Sequence, residues 1–291
     1  MRKNLGLFII VIALMFSGNK ANSQDWELGV SLGASEYLGD LTYSHVTWSE
    51  SKFNLGGIYR YYFNPRLNFK AAVFYGNIEG SDVNKEVGSG GAYTRNLSFK
   101  SHILEGTAQV EFNILPYITG NKLRNWAPYV FTGISVYNFN PKGELNGTWY
   151  ELQPLGTEGQ GLAGSTQAPY DLTQISIPYG FGIKYSFKRP TNSSALNLYL
   201  WNIGVFVQQN KTFNDHLDDV GGTYPDYSKL DGGTNGIVAQ LSDRQGEMIN
   251  GQYVPVRAVG SNRGNPDADD MYMWLGFTIT KTFRKNTCFC F

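Results

Sequence analysis

The chain has 291 residues, with 24 Lys and Arg against 24 Asp and Glu, so its formal net charge at pH 7 is zero and no nucleic-acid partner is expected. Aromatic residues make up 15% and charged residues only 16%, alongside 34 glycines, a balance that excludes an ordinary soluble domain and suits a membrane barrel. The length fits one domain with large loops rather than two.

Met1 to Ser23 reads as a secretory signal. Arg2 and Lys3 precede an apolar run from Leu5 to Phe16, and Ala21-Asn22-Ser23 supplies small residues for cleavage, so the mature chain is expected to begin near Gln24. The run is too short to span a bilayer as a helix, and no later segment approaches 18 uninterrupted apolar residues. No Cys follows it to carry a lipid.

The next segments alternate in polarity with period two, the mark of strands with one greasy face. In Trp26 to Tyr37, Trp26, Leu28, Val30, Leu32 and Ala34 oppose Glu27, Gly29, Ser31, Gly33 and Ser35. A second strand is read over Phe53 to Phe63, with Arg60 among apolar neighbours, and Asn64-Pro65-Arg66 is a tight turn. A third covers Leu67 to Tyr75, with Leu67, Phe69, Ala71 and Val73 opposite Asn68, Lys70 and Ala72. In the fourth, Leu104, Ala108, Val110, Phe112 and Ile114 alternate with Glu105, Thr107, Gln109, Glu111 and Asn113. Upstream, Leu97 and Phe99 fall on the opposite parity, which predicts either a bulge near Lys100 to Ile103 or a later strand start. Trp126 to Phe139 is a fifth strand of undecided facing. The sixth, Ile175 to Phe187, has the cleanest pattern: Ile175, Ile177, Tyr179, Phe181, Ile183, Tyr185 and Phe187 alternate with Ser176, Pro178, Gly180, Gly182, Lys184 and Ser186. Leu196 to Gln209 is the seventh, again undecided. Met271 to Phe283 is the eighth, with Met271, Met273, Leu275, Phe277 and Ile279 opposite Gly276, Thr278, Thr280 and Thr282.

The connections between these segments run about 15, 3, 20, 10, 32, 8 and 60 residues, long and short in turn, as in an up-and-down barrel with short periplasmic turns and long outer loops. The expected fold is therefore all-β: an eight-stranded antiparallel up-and-down transmembrane β-barrel in a Gram-negative outer membrane. Its long extracellular loops fall near 39–52, 78–97, 140–171 and 210–269, and a short periplasmic tail covers 284–291. Eight strands enclose only enough space for their own side chains. Glu27, Lys70, Glu105, Glu111 and Lys184 point inward on this reading and are expected to pair, since an unpaired buried charge is costly. No pore is expected, so any transport role is accessory.

Charge sorts by side. The short-turn side carries Arg66, Lys122, Arg124, Lys188, Arg189, Arg284 and Lys285, either resting on anionic headgroups or docking a periplasmic partner. The last long loop holds Asp215, Asp218, Asp219, Asp226, Asp231, Asp243, Glu247, Asp267, Asp269 and Asp270, read as an acidic, solvated loop. Of the three histidines only His216 lies among acids, where an Asp215/His216 pair has the chemistry to activate water; the bland alternative is a solvated loop. No cofactor is expected. Asp267, Asp269 and Asp270 offer oxygens for a structural Ca²⁺ but lack EF-hand spacing. No nucleophile elbow, zinc motif or phosphate loop is present in the sequence. The two cysteines, Cys288 and Cys290, sit in the last four residues, in an oxidising compartment. They form a strained local ring, stay inert, or bridge to a partner.

Several stretches resemble one family. They are Glu36-Tyr37-Leu38-Gly39-Asp40-Leu41, Arg60 to Arg66 (RYYFNPR), Asn96-Leu97-Ser98-Phe99, Trp149 to Gln160 (WYELQPLGTEGQ), Leu217-Asp218-Asp219-Val220, and Arg263-Gly264-Asn265 followed by Asp270 and Tyr272. Across nearly the whole mature chain the sequence is similar to the PorG proteins, outer-membrane components of the type IX secretion system. The most specific piece is Pro154-Leu155-Gly156-Thr157-Glu158-Gly159. The family more often has Tyr where this chain has His216, and Ser where it has Gly221. The resemblance implies a non-enzymatic role, coupling a periplasmic ring of the PorK lipoprotein and PorN to the outer membrane during export and, in some members, gliding. Its motif residues here are Gly39, Asp40, Pro154, Gly156, Thr157, Glu158, Gly159, Asp218, Asp219, Arg263 and Gly264. The alternatives are an OmpA- or OmpX-like structural or adhesive barrel, and a hydrolase built on Asp215 and His216.

Overall fold

The structure, a computed structural model, describes residues 25–42, 50–84, 95–161, 168–187, 200–265 and 268–283. The signal segment, Lys188, Arg189, Arg284, Lys285, Asp267, Cys288 and Cys290 lie outside the described residues. The strands are β1 (Trp26–Leu38), β2 (Lys52–Tyr62), β3 (Leu67–Ser81), β4 (Ser98–Asn113), β5 (Trp126–Leu145), β6 (Thr148–Glu151), β7 (Thr173–Ser186), β8 (Trp201–Lys211), β9 (Glu247–Ile249), β10 (Gln252–Val254) and β11 (Met271–Phe283). Neighbouring long strands pair antiparallel, and β1 closes on β11 from Trp26↔Phe283 to Leu38↔Met271, so β1 to β5, β7, β8 and β11 form a closed eight-stranded barrel. β6 extends β5 as a hairpin above the wall, and β9 and β10 form a separate ribbon. Among the described residues no helix is long and apolar enough to cross a membrane.

The wall is inverted relative to a soluble barrel. Leu28, Val73, Ile134 and Phe181 are more than half exposed on the outside, whereas Glu27, Lys70, Glu105 and Glu111 are fully buried inside. Only a hydrocarbon surround makes that arrangement favourable, so the barrel spans a membrane. Aromatic rings gather at the short-turn end of the outer face, where Trp26 stacks on Phe283 at 4.2 Å and Trp126 lies opposite Tyr185. Such belts mark the water–hydrocarbon boundary.

The lumen is filled. Arg60 binds Glu111 at 3.0 Å and Glu27 at 3.3 Å, and Lys184 binds Glu111 at 3.1 Å. Glu105 accepts from Tyr272 Oη and Gln208 Nε2, each at 3.0 Å, and from Trp274 Nε1. The expected pairing of inward charges therefore holds for Glu27, Glu111 and Lys184, is replaced by neutral donors at Glu105, and fails for Lys70. Its Nζ has no hydrogen-bond partner and instead lies 4.6 Å from the Phe131 ring and 4.9 Å from the Phe206 ring, where ring quadrupoles hold the cation. The undecided fifth and seventh strands owe their ambiguity to this layer. Tyr129 and Phe131 of β5 and Phe206 of β8 point inward, so both faces of these strands carry bulky apolar groups.

The bulge expected near Lys100 is absent, and so is the late start. β4 begins at Ser98, and its register with β3 runs unbroken from Leu67↔Phe112 to Ser81↔Ser98. What changes is the surroundings, not the register. Below the level of Tyr75, Leu104 and Val136, the outer face is apolar and the inner face charged. Above it, Asn77, Glu79, His102, Lys100, Asn138 and Asn140 face out, while Ile78, Ile103, Phe99, Tyr137 and Phe139 are buried within. The wall leaves the lipid at that level and continues as a water-facing barrel with an ordinary apolar core. β3 and β5 accordingly run further than expected, to Ser81 and Leu145.

The short-turn mouth is also closed. The connection from β4 to β5 crosses it: Tyr117 Oη donates to Asn202 of β8 at 2.8 Å, and Thr119 shares a hydrogen bond with Thr282 of β11 at 3.1 Å. In the circular strand order β11 lies diametrically opposite β4, so this segment spans the whole mouth. Arg66, Lys122 and Arg124 are exposed at this end, and Leu123 between the last two is 89% exposed.

Candidate functional site

The long loops at the other end fold into one cap. Leu41, Leu97, Leu217 and Val220 continue the apolar column of the upper barrel, so the cap sits on the core rather than beside it. Gly156 takes a left-handed conformation at the end of the short helix Leu152–Leu155 and turns the chain so that Thr157 and Glu158 point inward. The Glu158 carboxylate accepts from the backbone of Gly221 at 3.1 Å and Gly222 at 3.0 Å, and from Arg263 Nη1 at 3.0 Å. Arg263 also donates to the carbonyls of Ser242, at 3.1 Å, and Asp219. Asp219, held at φ 64°, accepts from Tyr170 Oη at 2.8 Å and from the Thr157 hydroxyl. Tyr37 Oη lies 2.6 Å from Asp218 Oδ2 and 2.7 Å from Asp270 Oδ1; Asp218 also accepts from Val220 N at 2.8 Å, and Asp270 from Leu217 N at 2.9 Å. Asp40 accepts from Asn265 N, and Arg95 ties the carbonyl of Asp40 at 2.8 Å to the Asp82 carboxylate at 2.8 Å and to the Arg263 carbonyl.

Asp40, Thr157, Glu158, Asp218, Asp219, Arg263 and Gly264, scattered over more than two hundred positions, thus meet in one network, with Gly39, Gly156 and Gly159 shaping the chain around it. Pro154 does not join them; it is exposed on the outer side of its helix. Sequence reasoning missed Arg95, Asp82 and Tyr170. A lone Arg before a left-handed Asn96 and a Tyr between polar residues carry no pattern that marks them.

The acidic loop is solvated only in part: Asp231, Glu247 and Asp269 are exposed as expected, whereas Asp218, Asp219, Asp243 and Asp270 are buried, each spent on loop backbone or side-chain donors. Asp243 alone accepts from Gln245, Val256 and Arg257 nitrogens at 2.7–3.0 Å. Burial, against the opposing charge of Arg263, pushes Asp219 up to about 6. Burial opposes the charge on Arg263, but the carboxylates of Glu158 and Asp219 beside it hold its pKa above the ordinary arginine value.

Asp215 and His216 do not form a dyad. Neither Asp215 oxygen nor His216 Nδ1 has a hydrogen-bond partner, and the His216 ring packs edge-on to Tyr170 at 4.9 Å. Of the acids expected to offer oxygens to Ca²⁺, Asp270 is buried against Tyr37 Oη and Leu217 N, Asp269 is exposed, and Asp267 lies outside the described residues. Among the described residues no group of three or more His, Cys, Asp and Glu converges as a metal site.

His216 and Gly221 face each other. A Cβ at Gly221 would lie 2.4 Å from His216 Nδ1 and 2.2 Å from the Asp215 carbonyl oxygen, so the backbone here leaves no room for a side chain at 221.

The cavity among Leu41, Leu152, Val220, Leu241 and Arg263 is ≈ 10 Å³, no larger than a single water needs. At Gly264 the packing is closer still, since an added Cβ would lie 2.0 Å from the Val220 carbonyl oxygen and 2.5 Å from an Asp40 carboxylate oxygen. Gly264→Ala is expected to weaken the cap by ~1–3 kcal/mol through overpacking while leaving barrel unfolding in urea unchanged. Protease nicking of the cap and gel mobility of the folded barrel, read on one sample, check this.

Fold and cap together define a membrane-spanning eight-stranded β-barrel whose own loops seal both ends. A family model described as "Domain of unknown function (DUF6089)" matches residues 5–153, and the chain belongs to that family. No curated protein sequence matches the chain. Among solved structures it is similar to the attachment invasion locus protein Ail of Yersinia pestis, at 11% identity and TM-score 0.36 over 90% of this chain and 98% of that one. It is also similar to neisserial surface protein A, at 10% and 0.38 over 89% and 97%, and to OprG of Pseudomonas aeruginosa, at 10% and 0.34 over 91% and 98%.

Proposed function

We propose that the protein is a non-enzymatic outer-membrane component of a type IX secretion machinery, of the PorG kind, which couples a periplasmic ring of PorK-like lipoprotein and PorN-like protein to the outer membrane. The observation that carries the reading is convergence. Residues that bear the resemblance in five separate stretches, from Asp40 to Gly264, build a single interlocked cap. A chance likeness of loop sequences gives no reason for those residues to meet. A lumen packed with ion pairs and closed at both mouths supports a coupling role over a conducting one. On this reading Arg66, Lys122, Arg124, Lys188, Arg189, Arg284 and Lys285 form the rim that docks the periplasmic ring, and Cys288 and Cys290 serve as a covalent tether.

Affinity isolation from native membranes tests it. The ring proteins are expected to co-purify with the tagged barrel, and a reductant-sensitive, higher-mass band that disappears with Cys288→Ala and Cys290→Ala is expected if the tail bridges. Recovery of the barrel with no ring protein, in either condition, rejects the reading. A second reading, an adhesive barrel, is favoured by one observation: Met248, Ile249, Val254, Val256 and Val259 are exposed around the β9–β10 ribbon. Loss of adhesion on trimming that ribbon, with secretion intact, selects it.

A further inference from the structure

We propose that the cap is a proton-held latch: it closes only with a proton shared among Tyr37, Asp218 and Asp270, and losing that proton releases the loops from the barrel. The argument is a count of hydrogens. Tyr37 Oη lies 2.6 Å from Asp218 Oδ2 and 2.7 Å from Asp270 Oδ1, both hydrogen-bonding distances. A phenol carries one hydrogen and an ionised carboxylate carries none. One hydrogen cannot fill both contacts, so the second needs a proton on one of the two carboxyls, which then donates to the phenol oxygen. The other oxygens, Asp218 Oδ1 and Asp270 Oδ2, accept from Val220 N and Leu217 N, so the shared proton sits on the Tyr37 side of the pair.

Among the described residues the surroundings supply no cation in its place. From the β1–β2 connection the trio faces Asp40; from its own loop it faces Asp215, His216 and Asp219; from the β5–β7 connection it faces Glu158. The nearby bases are Arg95, bound to Asp82 and to two carbonyls, and Arg263, bound to Glu158 and to the carbonyls of Ser242 and Asp219. Burial first, and then the charge of Asp270, push Asp218 well above the usual carboxylate range. Burial, and then Asp215 and Asp40, do the same to Asp270. Asp215 is pushed up to about 8 by burial, with Asp40 and Asp218 adding to it. A carboxyl whose pKa is higher in the closed cap than in the open one stabilises closure fully below the ordinary carboxylate range. That stabilisation is lost as pH rises through the closed-state value. The latch is therefore tight in mild acid and slackens toward alkaline pH. The three partners come from β1, from the loop after β8 and from the residue before β11, so its release frees the cap from the wall itself.

Amide hydrogen exchange on the full-length barrel in detergent micelles, corrected for the intrinsic pH dependence of exchange, is the test. In the wild type, amides of residues 217–222 are expected to gain about tenfold in opening per pH unit between the ordinary carboxylate range and the closed-state value and to level off above it, while strand amides below the lipid boundary stay flat. Asp218→Asn and Asp270→Asn, each added to an Asp215→Asn background so that the other raised carboxyl of the cap is silent, supply the hydrogen permanently and are expected to abolish the pH slope that Asp215→Asn alone retains. Infrared spectra of Asp215→Asn at neutral pH are expected to show a protonated-carboxyl band that either added substitution removes. A flat wild-type profile, added substitutions that leave the slope unchanged, or an Asp215→Asn spectrum without that band would each overturn the latch. The Asp215→Asn spectrum decides the matter even if both double variants fail to insert.

Discussion

Arg263→Ala is expected to release the cap without opening the barrel. The guanidinium is 2% exposed and is the cation that Glu158 binds among the described residues; the other donors to that carboxylate are the amides of Gly221 and Gly222 and the Gln160 side chain. Removing it leaves a buried carboxylate without its counter-charge and strands the carbonyls of Ser242 and Asp219. Breaking one side of a buried pair in this way costs ~3–5 kcal/mol. Cleavage sites within 217–265 should become accessible to pulse proteolysis, while urea unfolding of the wall, followed by the gel mobility of heated and unheated samples, stays where it was. Arg263→Lys should rescue little, because one ammonium cannot reach acceptors that lie in different directions. Wild-type resistance to protease in the alanine variant would show that the cap is held by its apolar contacts alone.

The second large effect is expected inside the wall. Glu111 accepts from Arg60 at 3.0 and 3.1 Å and from Lys184 at 3.1 Å, all three side chains being almost wholly buried. Glu111→Ala leaves two cations facing each other in a space without water, and ~3–5 kcal/mol of barrel stability should be lost. Arg60 keeps Glu27, so Lys184 is the group left most exposed to the change. Combining Glu111→Ala with Lys184→Met should restore part of the loss, and that non-additivity identifies the pair. If the urea midpoint of Glu111→Ala stays at the wild-type value, the lumen charges contribute nothing to holding the barrel together.

Where the barrel lies in lipid it was legible from the residues, because there only one face of each strand is apolar. Met271 to Phe283 was placed to the residue, and the facing of Ile175 to Ser186 was right throughout. Legibility failed where both sides of a strand carry apolar groups. Tyr129, Phe131 and Phe206 fill the lumen around Lys70, so β5 and β8 lose their alternation. It failed again at Leu97 and Phe99, where period two persists but the solvent on each side has been exchanged; a rule that reads greasy as lipid-facing then reports a slip that is not there. Of the cap, the sequence shows the pieces and not the assembly. Asp218 and Asp219 look like two more acids in a solvated loop until Tyr37, Tyr170 and Arg263 arrive from other parts of the chain. Hydrogen bonds between groups this far apart in sequence leave no periodicity to read.

The exchange of solvents partway up the wall has a mechanical corollary. β5 has 20 residues, and at ~3.3 Å per residue and a tilt of roughly 40° it rises ~50 Å, about twice the ~25 Å apolar band of such barrels. The molecule is a turret rather than a ring flush with its floor. Its crown stands clear of the headgroups on a stiff stem, so anything that grips the crown pulls on the stem as a lever.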